Sequence, residues 1–320
     1  MICVSVPATS ANLGPGFDCL GLALTLYNRI IIEENQPFKI KLTGEYREHI
    51  PLDETNLVWQ TMCHLWNILN YPIPQVSITL ENNVPPTRGL GSSSTAIVGG
   101  LIAANTLAGS RLSKLELLQI ANELEGHPDN VTPALLGGVT LSVETDNGIM
   151  PRILAKNPKL SAIAIVPDLL LETDVARNLL SDEVARKDAV YNITHTGLII
   201  EAFLREDYGL LKEGMLDKLH QDKRSSLIPG MFKVIEKALD SGAYGAALSG
   251  SGPTLLALTR PGNEFKVGKG MVDIFDSYGI KAKSYYLAID HHGTRVDVSI
   301  QPYTNTAPVK RTLQNIIVSV

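Results

Sequence analysis

Apolar and polar residues alternate from the first residues of the chain. Ile2, Val4 and Val6 are separated by Cys3 and Ser5 ahead of Pro7, which predicts a strand with one buried face. Tyr27–Glu33 is a β-branched run, Phe38–Gly44 alternates, and Val76, Ile78 and Leu80 alternate again, so three further strands are expected. Between them Leu57, Val58, Met62, Leu65 and Leu69 recur at helical spacing within Asp53–Leu69, with Asp53 and Thr55 as the expected caps. From Ser92 the pattern turns helical up to Gly109, a glycine suited to a helix C-terminus. A second helix is expected over Leu112–Gly126, where Leu112, Leu115, Leu118 and Ile120 fall on or near one face and Ser113 with Glu116 forms a capping box. After Pro133, the run Ala134–Glu144 predicts a return to strand.

Asn147–Pro158 breaks the pattern with two prolines, one glycine and little periodicity. That places a boundary near residue 155, dividing the chain into 1–155 and 156–320. The second half predicts a strand at Ser161–Pro167 and helices around Thr173–Leu180, Ala189–Phe203 and Phe232–Ser241. A strand follows over Gly245–Thr259, then a further helix and strand. Strands interleaved with helices in both halves argue for α+β or α/β architecture and against a helical bundle.

Composition narrows the function classes. The chain has 320 residues, 44% of them hydrophobic and 19% charged, as in a globular protein. Lys plus Arg number 28 against 33 Asp plus Glu, a net charge of −5, which disfavours a surface built to neutralise nucleic-acid phosphates. Aromatics at 6% are too sparse for a base-stacking platform. Cys3, Cys19 and Cys63 are odd in number and lack paired spacing, which fits reduced thiols and not a disulfide framework or zinc site. The chain starts without a basic leader, and its longest apolar stretch, Ala96–Ala104, is half of the roughly 20 residues that a membrane span needs. A cytoplasmic protein without a nucleic-acid or membrane partner is expected.

Three glycine-rich segments carry the candidate chemistry. The most informative is Pro85, Pro86, Thr87, Arg88, Gly89, Leu90, Gly91, Ser92, Ser93, Ser94 and Thr95, which follows a strand and opens a helix. There, free N–H groups and the positive end of the helix dipole favour an anion, and glycines let the backbone approach phosphate oxygens. It is not a Walker A loop, which needs GxxxxGK[ST], since the only Gly-Lys pair, Gly268-Lys269, has the wrong surroundings. It is not the dinucleotide fingerprint either, since GLGSSS lacks the third glycine. The other two segments are Pro7–Asp18, just after the first strand, and Leu248–Thr254. Each alone reads equally well as a tight turn; three in one chain do not.

Together these segments resemble the GHMP kinase superfamily. RGLGSSST is similar to its ATP-phosphate motif and SGSGPTLLAL to its C-terminal glycine motif. EGHPDNVTPALLGGVTL is similar to the stretch that supplies an acidic metal ligand and polar site residues. PATSANLGPGFDCLG resembles the members whose acceptor is L-homoserine. The match is collinear from Ile2 to about Asp297. The resemblance implies an α+β GHMP kinase fold with a ribosomal-protein-S5-domain-2-like N-terminal domain that binds ATP and a ferredoxin-like C-terminal domain. It also implies Mg²⁺-dependent transfer of the γ-phosphoryl of ATP to L-homoserine in the cleft between them, as a step of threonine biosynthesis, and a homodimer.

Carried onto this chain, the resemblance assigns Asn12, Asp18 and Asp129 to the substrate, with Asp18 facing its ammonium group and Asp129 positioning the hydroxyl or acting as base. Arg177 and Arg224 are assigned to the substrate carboxylate, a role suited to a bidentate guanidinium. The segment from Pro85 to Thr95 falls to ATP. Ser92 or Ser93 with Glu125 falls to Mg²⁺, and neighbouring Glu123 is the alternative acid. Ser94 and Thr95 stand where alanines are common in the family and are expected to cap the helix. No lysine stands in Pro7–Ser10, which disfavours a mevalonate-kinase-like mechanism. His127 reads as a structural histidine. The tail from Tyr303 to Val320, with Ile316, Ile317 and Val318, fits either a last strand or an interface.

Overall fold

The computed structural model describes residues 1–48, 50–171 and 173–298. The 303–320 tail lies outside the described residues.

The first half is organised on one long strand. β1 (Ile2–Ala11) runs antiparallel to β2 (Leu20–Glu34), with a register shift at Pro7/Ala8. The far half of β2 pairs with β4 (Val76–Glu81), which in turn pairs in parallel with β3 (Lys39–Thr43). The near end of β2, at Leu20–Leu22, pairs instead with β5 (Val139–Thr145), which forms a hairpin with β6 (Gly148–Ala155). Four helices cover the sheet: α1 (Leu57–Ile68), α2 (Ser92–Leu107), α3 (Lys114–Glu125) and α4 (Pro128–Leu136). α2 contacts the other three helices and the sheet, so it is buried on nearly every side and its sequence is apolar without a polar face. Trp66, fully buried, donates its indole N–H to Ala104 O at 3.1 Å and ties α1 to α2.

The second half runs β7 (Ser161–Pro167), α5 (Thr173–Asn178), α6 (Arg186–Leu204), α7 (Leu211–Gly214), α8 (Gln221–Arg224), α9 (Met231–Asp240), β8 (Gly245–Leu248), β9 (Leu255–Thr259), α10 (Glu264–Ser277) and β10 (Ala282–Ala288). Its antiparallel sheet has the order β10-β7-β9-β8. That is the 4-1-3-2 order of a ferredoxin-like unit, with α9 and α10 on one face around Val234, Val267, Met271 and Phe275. The other face, through Ala162, Ala164, Leu256 and Leu258, packs in a shared core with Leu20, Leu22 and Leu24 of β2. The chain crosses between sheets at residues 156–160, and β11 (Arg295–Val298) then returns to pair with β1. The last strand therefore belongs to the first sheet although it is late in sequence. Among the described residues no helix is long and apolar enough to cross a membrane.

The Ser113–Glu116 capping box forms as read, with both reciprocal bonds present. Three local expectations are corrected. Asn56, not Asp53 or Thr55, caps α1: its Oδ1 accepts from Val58 N at 3.0 Å, while Asp53 folds back onto Thr55. Ala134–Leu136 finish α4, and β5 starts only after Gly137 and Gly138. The stretch Asn147–Pro158 is mostly strand β6, whose pairing partner is supplied by β5 through a tight turn at Thr145–Gly148, a local hairpin with no signature in the periodicity of β6 itself.

Phe275 is fully buried between α10 and the second sheet, whereas Phe265 on the same helix is 72% exposed. Phe275→Ala is expected to lower unfolding free energy by about 3–5 kcal/mol. Phe265→Ala should stay within about 0.5 kcal/mol. Urea unfolding of the two variants checks the assignment of this core.

Candidate active site

α2 opens without a side-chain cap. Its N-cap residue is Gly91, in the left-handed region at φ 67°, and no acid lies in its first turn. The first N–H groups of the helix therefore retain their affinity for an acceptor, and the helix dipole favours an anionic one.

Two glycines let the neighbouring segments close on this terminus. Gly89 has φ 75°, and a Cβ there would lie 2.2 Å from the carbonyl oxygen of Ser249; at Gly91 it would lie 2.0 Å from Thr9 Oγ1. The three glycine-rich segments are stitched together through that space. Thr9 N donates to Leu90 O (3.1 Å), Gly250 N to Ala11 O (3.2 Å) and Thr254 N to Arg88 O (3.3 Å). Asn12 Nδ2 donates to Gly250 O (3.2 Å), and Ser249 Oγ lies 2.7 Å from Ser10 Oγ. From below, Asn28 Oδ1 accepts Asn83 N and Val84 N, both at 2.8 Å, and its Nδ2 donates to Thr95 Oγ1 at the same distance. One β2 side chain thus holds both the entry to the loop and the first turn of α2.

The single strand expected over Gly245–Thr259 is two strands, and Leu248–Thr254 is the connection from β8 to β9. Asn12, Asp18, Asp129, Arg177, Arg224, Glu125, Arg88, Gly89, Gly91, Ser92 and Ser93 all line one cleft of about 330 Å³ against this stitched frame. His127, Asn130, Gly250 and Ser251 line it too.

One wall is acidic. Asp129, 2% exposed in the first turn of α4, accepts from His127 Nδ1 (2.7 Å) and Asn130 Nδ2 (3.2 Å) at Oδ1. Asn130 Oδ1 in turn accepts from Thr9 Oγ1 at 2.7 Å. Burial opposes a charge on His127, but the hydrogen bond and charge of Asp129, with Glu125 beyond it, prevail and raise its pKa. Glu125, at the C-terminal end of α3, faces the first turn of α2: Ser93 Oγ donates to its Oε2 (2.9 Å) and Ser94 Oγ to its Oε1 (2.7 Å). Burial first, then the charges of Asp129 and Asp18, push the nearby Cys19 thiol up to about 11, which keeps it protonated.

The opposite wall is cationic. Arg177 of α5 makes a bidentate ion pair with Asp18, at 2.9 and 3.2 Å, and both side chains are about one third exposed. Arg224 of α8 is 2% exposed, and among the described residues no carboxylate pairs with it. Its contacts are neutral: Ala176 O from Nε (3.3 Å), and Gly250 O (3.1 Å) and His220 Nδ1 (3.2 Å) from Nη1. Both guanidinium groups lie against the Phe17 ring, 5.8 Å away for Arg177 and 5.5 Å for Arg224. Burial, and next the charge of Arg177, bring Arg224 down to about 10, still charged at neutral pH. Two converging cations with one unpaired make a receptor for an anion.

Several expected residues are placed otherwise. Leu90 is buried in the core between the sheets, and Ser94 is buried with its hydroxyl on Glu125. Ser94 and Thr95 do not cap α2: Thr95 Oγ1 donates back to Ser92 O. Pro86 and Thr95 line an adjoining pocket of about 260 Å³; Thr87, Ser92 and Ser93 line both that pocket and the cleft, and Pro85 lies away from both. Ser93, not Ser92, bonds Glu125; Glu123 does not line the cleft. His127, Asn130, Thr9 and Phe17 were missed as site residues. Thr9 and Phe17 lie inside the Pro7–Asp18 segment that its glycines mark, and His127 and Asn130 among the polar residues between Gly126 and Pro133.

Residues 56–138 match the family model described as GHMP kinases N terminal domain, and residues 199–271 match GHMP kinases C terminal. A homoserine kinase of Desulfitobacterium hafniense is 56% identical over 296 residues, covering 92% of this chain and all of that one. The chain belongs to the GHMP kinase family. Another homoserine kinase, from Carboxydothermus hydrogenoformans, is 43% identical over 92% of this kinase and 96% of its own length. The crystal structure of homoserine kinase from Cytophaga hutchinsonii superimposes with a TM-score of 0.82 at 32% identity, covering 92% of this chain and 97% of that one.

If the close approach at Gly89 holds the frame together, Gly89→Ala incurs both left-handed strain and a clash with backbone, and should cost about 2–5 kcal/mol. Gly126 has φ 85° but nothing within 4 Å of an added Cβ, so Gly126→Ala should cost only about 1–2 kcal/mol. Denaturant midpoints of the pair measure the difference.

Proposed function

We propose that the protein transfers the γ-phosphoryl group of ATP to the side-chain hydroxyl of L-homoserine, giving ADP and O-phospho-L-homoserine on the route to threonine. The observation that carries this reading is the meeting, in one cleft with the uncapped terminus of α2, of three guanidinium groups (Arg88, Arg177 and Arg224) and three carboxylates (Asp18, Glu125 and Asp129). An amino acid brings an ammonium and a carboxylate. The Asp18–Arg177 pair is a ready match for such a zwitterion, exchanging one internal ion pair for two with the ligand, and Arg224 adds a second cation for the carboxylate. The first unit, residues 1–155 with the returning β11, supplies the phosphate loop; residues 156–294 supply the two arginines.

The triphosphate fits the N–H groups of Ser92–Ser94 and the Arg88 side chain. The adjoining pocket, walled by Ile30, Leu42, Pro51, Leu57 and Leu80 with Asn56 and Asn82 at its edge, suits a purine. Glu125 and the Ser92 or Ser93 hydroxyl offer hard oxygen donors beside the phosphates, the set Mg²⁺ takes. Bound there, it would neutralise charge on the β- and γ-phosphates. Asp129, held at Oδ1 by His127 and Asn130, is fixed to accept a hydrogen bond from the homoserine hydroxyl and aim it at phosphorus. Phosphoryl transfer through a loose transition state acidifies the nucleophile late, so orientation suffices and a strong base is not required.

ADP release measured with L-homoserine, with mevalonate and with no acceptor tests the reading. Release dependent on homoserine and at least 100-fold slower with the other two is expected; release independent of acceptor would exclude it.

A further inference from the structure

His220 is completely buried and precedes the four-residue α8 that carries Arg224. Its backbone is set by Asp217, whose carboxylate accepts Leu219 N (3.0 Å), His220 N (2.9 Å), Gln221 N (2.7 Å) and Asn192 Nδ2 (2.7 Å). With those bonds Asp217 is occupied; His220 Nε2 lies 3.7 Å from it, beyond hydrogen-bond range.

The imidazole's two true partners each have one possible role. The Gly14 carbonyl, 2.8 Å from Nε2, only accepts, so Nε2 carries the proton. Arg224 Nη1, 3.2 Å from Nδ1, only donates, so Nδ1 presents a lone pair. The neutral Nε2–H tautomer follows from geometry. Burial, opposed by Asp217 and aided by the Arg224 charge, lowers the His220 pKa in the same direction.

Of the five N–H bonds of Arg224, Nε uses one on Ala176 O and Nη1 uses two on His220 and Gly250 O. The Nη2 pair takes part in none of these. Phe17, with its ring 5.3 Å from His220 and 5.5 Å from the Arg224 guanidinium, packs against both.

We propose that His220 is a positioning residue for substrate recognition: by accepting from Arg224 Nη1 while anchored to Gly14, it holds the guanidinium so that Nη2 is presented to the homoserine carboxylate. The inference rests on the reading of Arg224 as a carboxylate ligand given above. His220 couples the first glycine-rich segment to the α8 arginine without touching the substrate.

Two polar variants separate the functions of the ring nitrogens. His220→Asn retains an acceptor near the Nδ1 place and loses the reach to Gly14; His220→Gln retains a donor near Nε2 and loses the acceptor. Kinetics of both, with thermal unfolding to verify folding, should show the homoserine KM of His220→Gln raised about tenfold or more. Its kcat and ATP KM should stay within about threefold, and His220→Asn should bring the homoserine KM to within about threefold of wild type. Equal effects of the two variants on homoserine KM, or a parallel loss of kcat, would overturn the positioning role. Arg224→Gln is the control for the underlying reading. If it leaves homoserine KM unchanged, the carboxylate assignment fails; if it raises KM and His220→Gln does not, the assignment stands and the His220 inference alone fails.

Discussion

The Ser249 carbonyl oxygen stands where a side chain on residue 89 would begin, and the rest of the site follows from that proximity. Because the two backbones meet there, the β8–β9 connection of the second sheet is hydrogen-bonded both to the loop before α2, from Thr254 N to Arg88 O, and to the end of β1, from Gly250 N to Ala11 O. The start of α2 is thereby fixed with its N–H groups uncapped and aimed into a cleft, not folded back on a serine of its own chain. A cap would satisfy the helix locally and remove the anion site.

The same frame places opposite charges on facing walls. Asp129, Glu125 and His127 come from the helices of the first unit, and Arg177 and Arg224 from short helices of the second. Burying Arg224 without a carboxylate costs desolvation that its three neutral acceptors offset only in part, which is why its pKa falls. An incoming carboxylate supplies the missing partner. The overall charge of −5 has no bearing on this balance, since the cleft sets its own field with a few oriented groups.

Much of this was legible from local sequence. Period-two runs marked β1, β3 and β4, the Ser113–Glu116 spacing marked the start of α3, and the glycine-rich segments marked the frame. What escaped depended on partners far along the chain. β11 pairs with β1 nearly three hundred residues away, and α8 is too short to show a period; β6 is the local exception, a hairpin partner of β5 whose own sequence does not alternate. In the site, Asn12 and Asp18 were identified by motif, but the Asp18–Arg177 ion pair joins residues 159 apart, and nothing around His220 distinguishes a ring that positions an arginine from one that fills a core. The hydroxyls of Ser94 and Thr95, read as caps, are claimed by Glu125 and by Ser92 O because α2 is surrounded by other elements.

The central claim is that one stitched frame presents nucleotide and amino acid to each other. A crystal structure with a non-hydrolysable ATP analogue, Mg²⁺ and L-homoserine tests it most directly. The account predicts phosphate oxygens on the N–H groups of Ser92–Ser94, the homoserine carboxylate on Arg177 and Arg224, and the hydroxyl beside Asp129 facing the γ-phosphate. Phosphates bound away from the α2 terminus, or an amino acid bound without contact to either arginine, would contradict it.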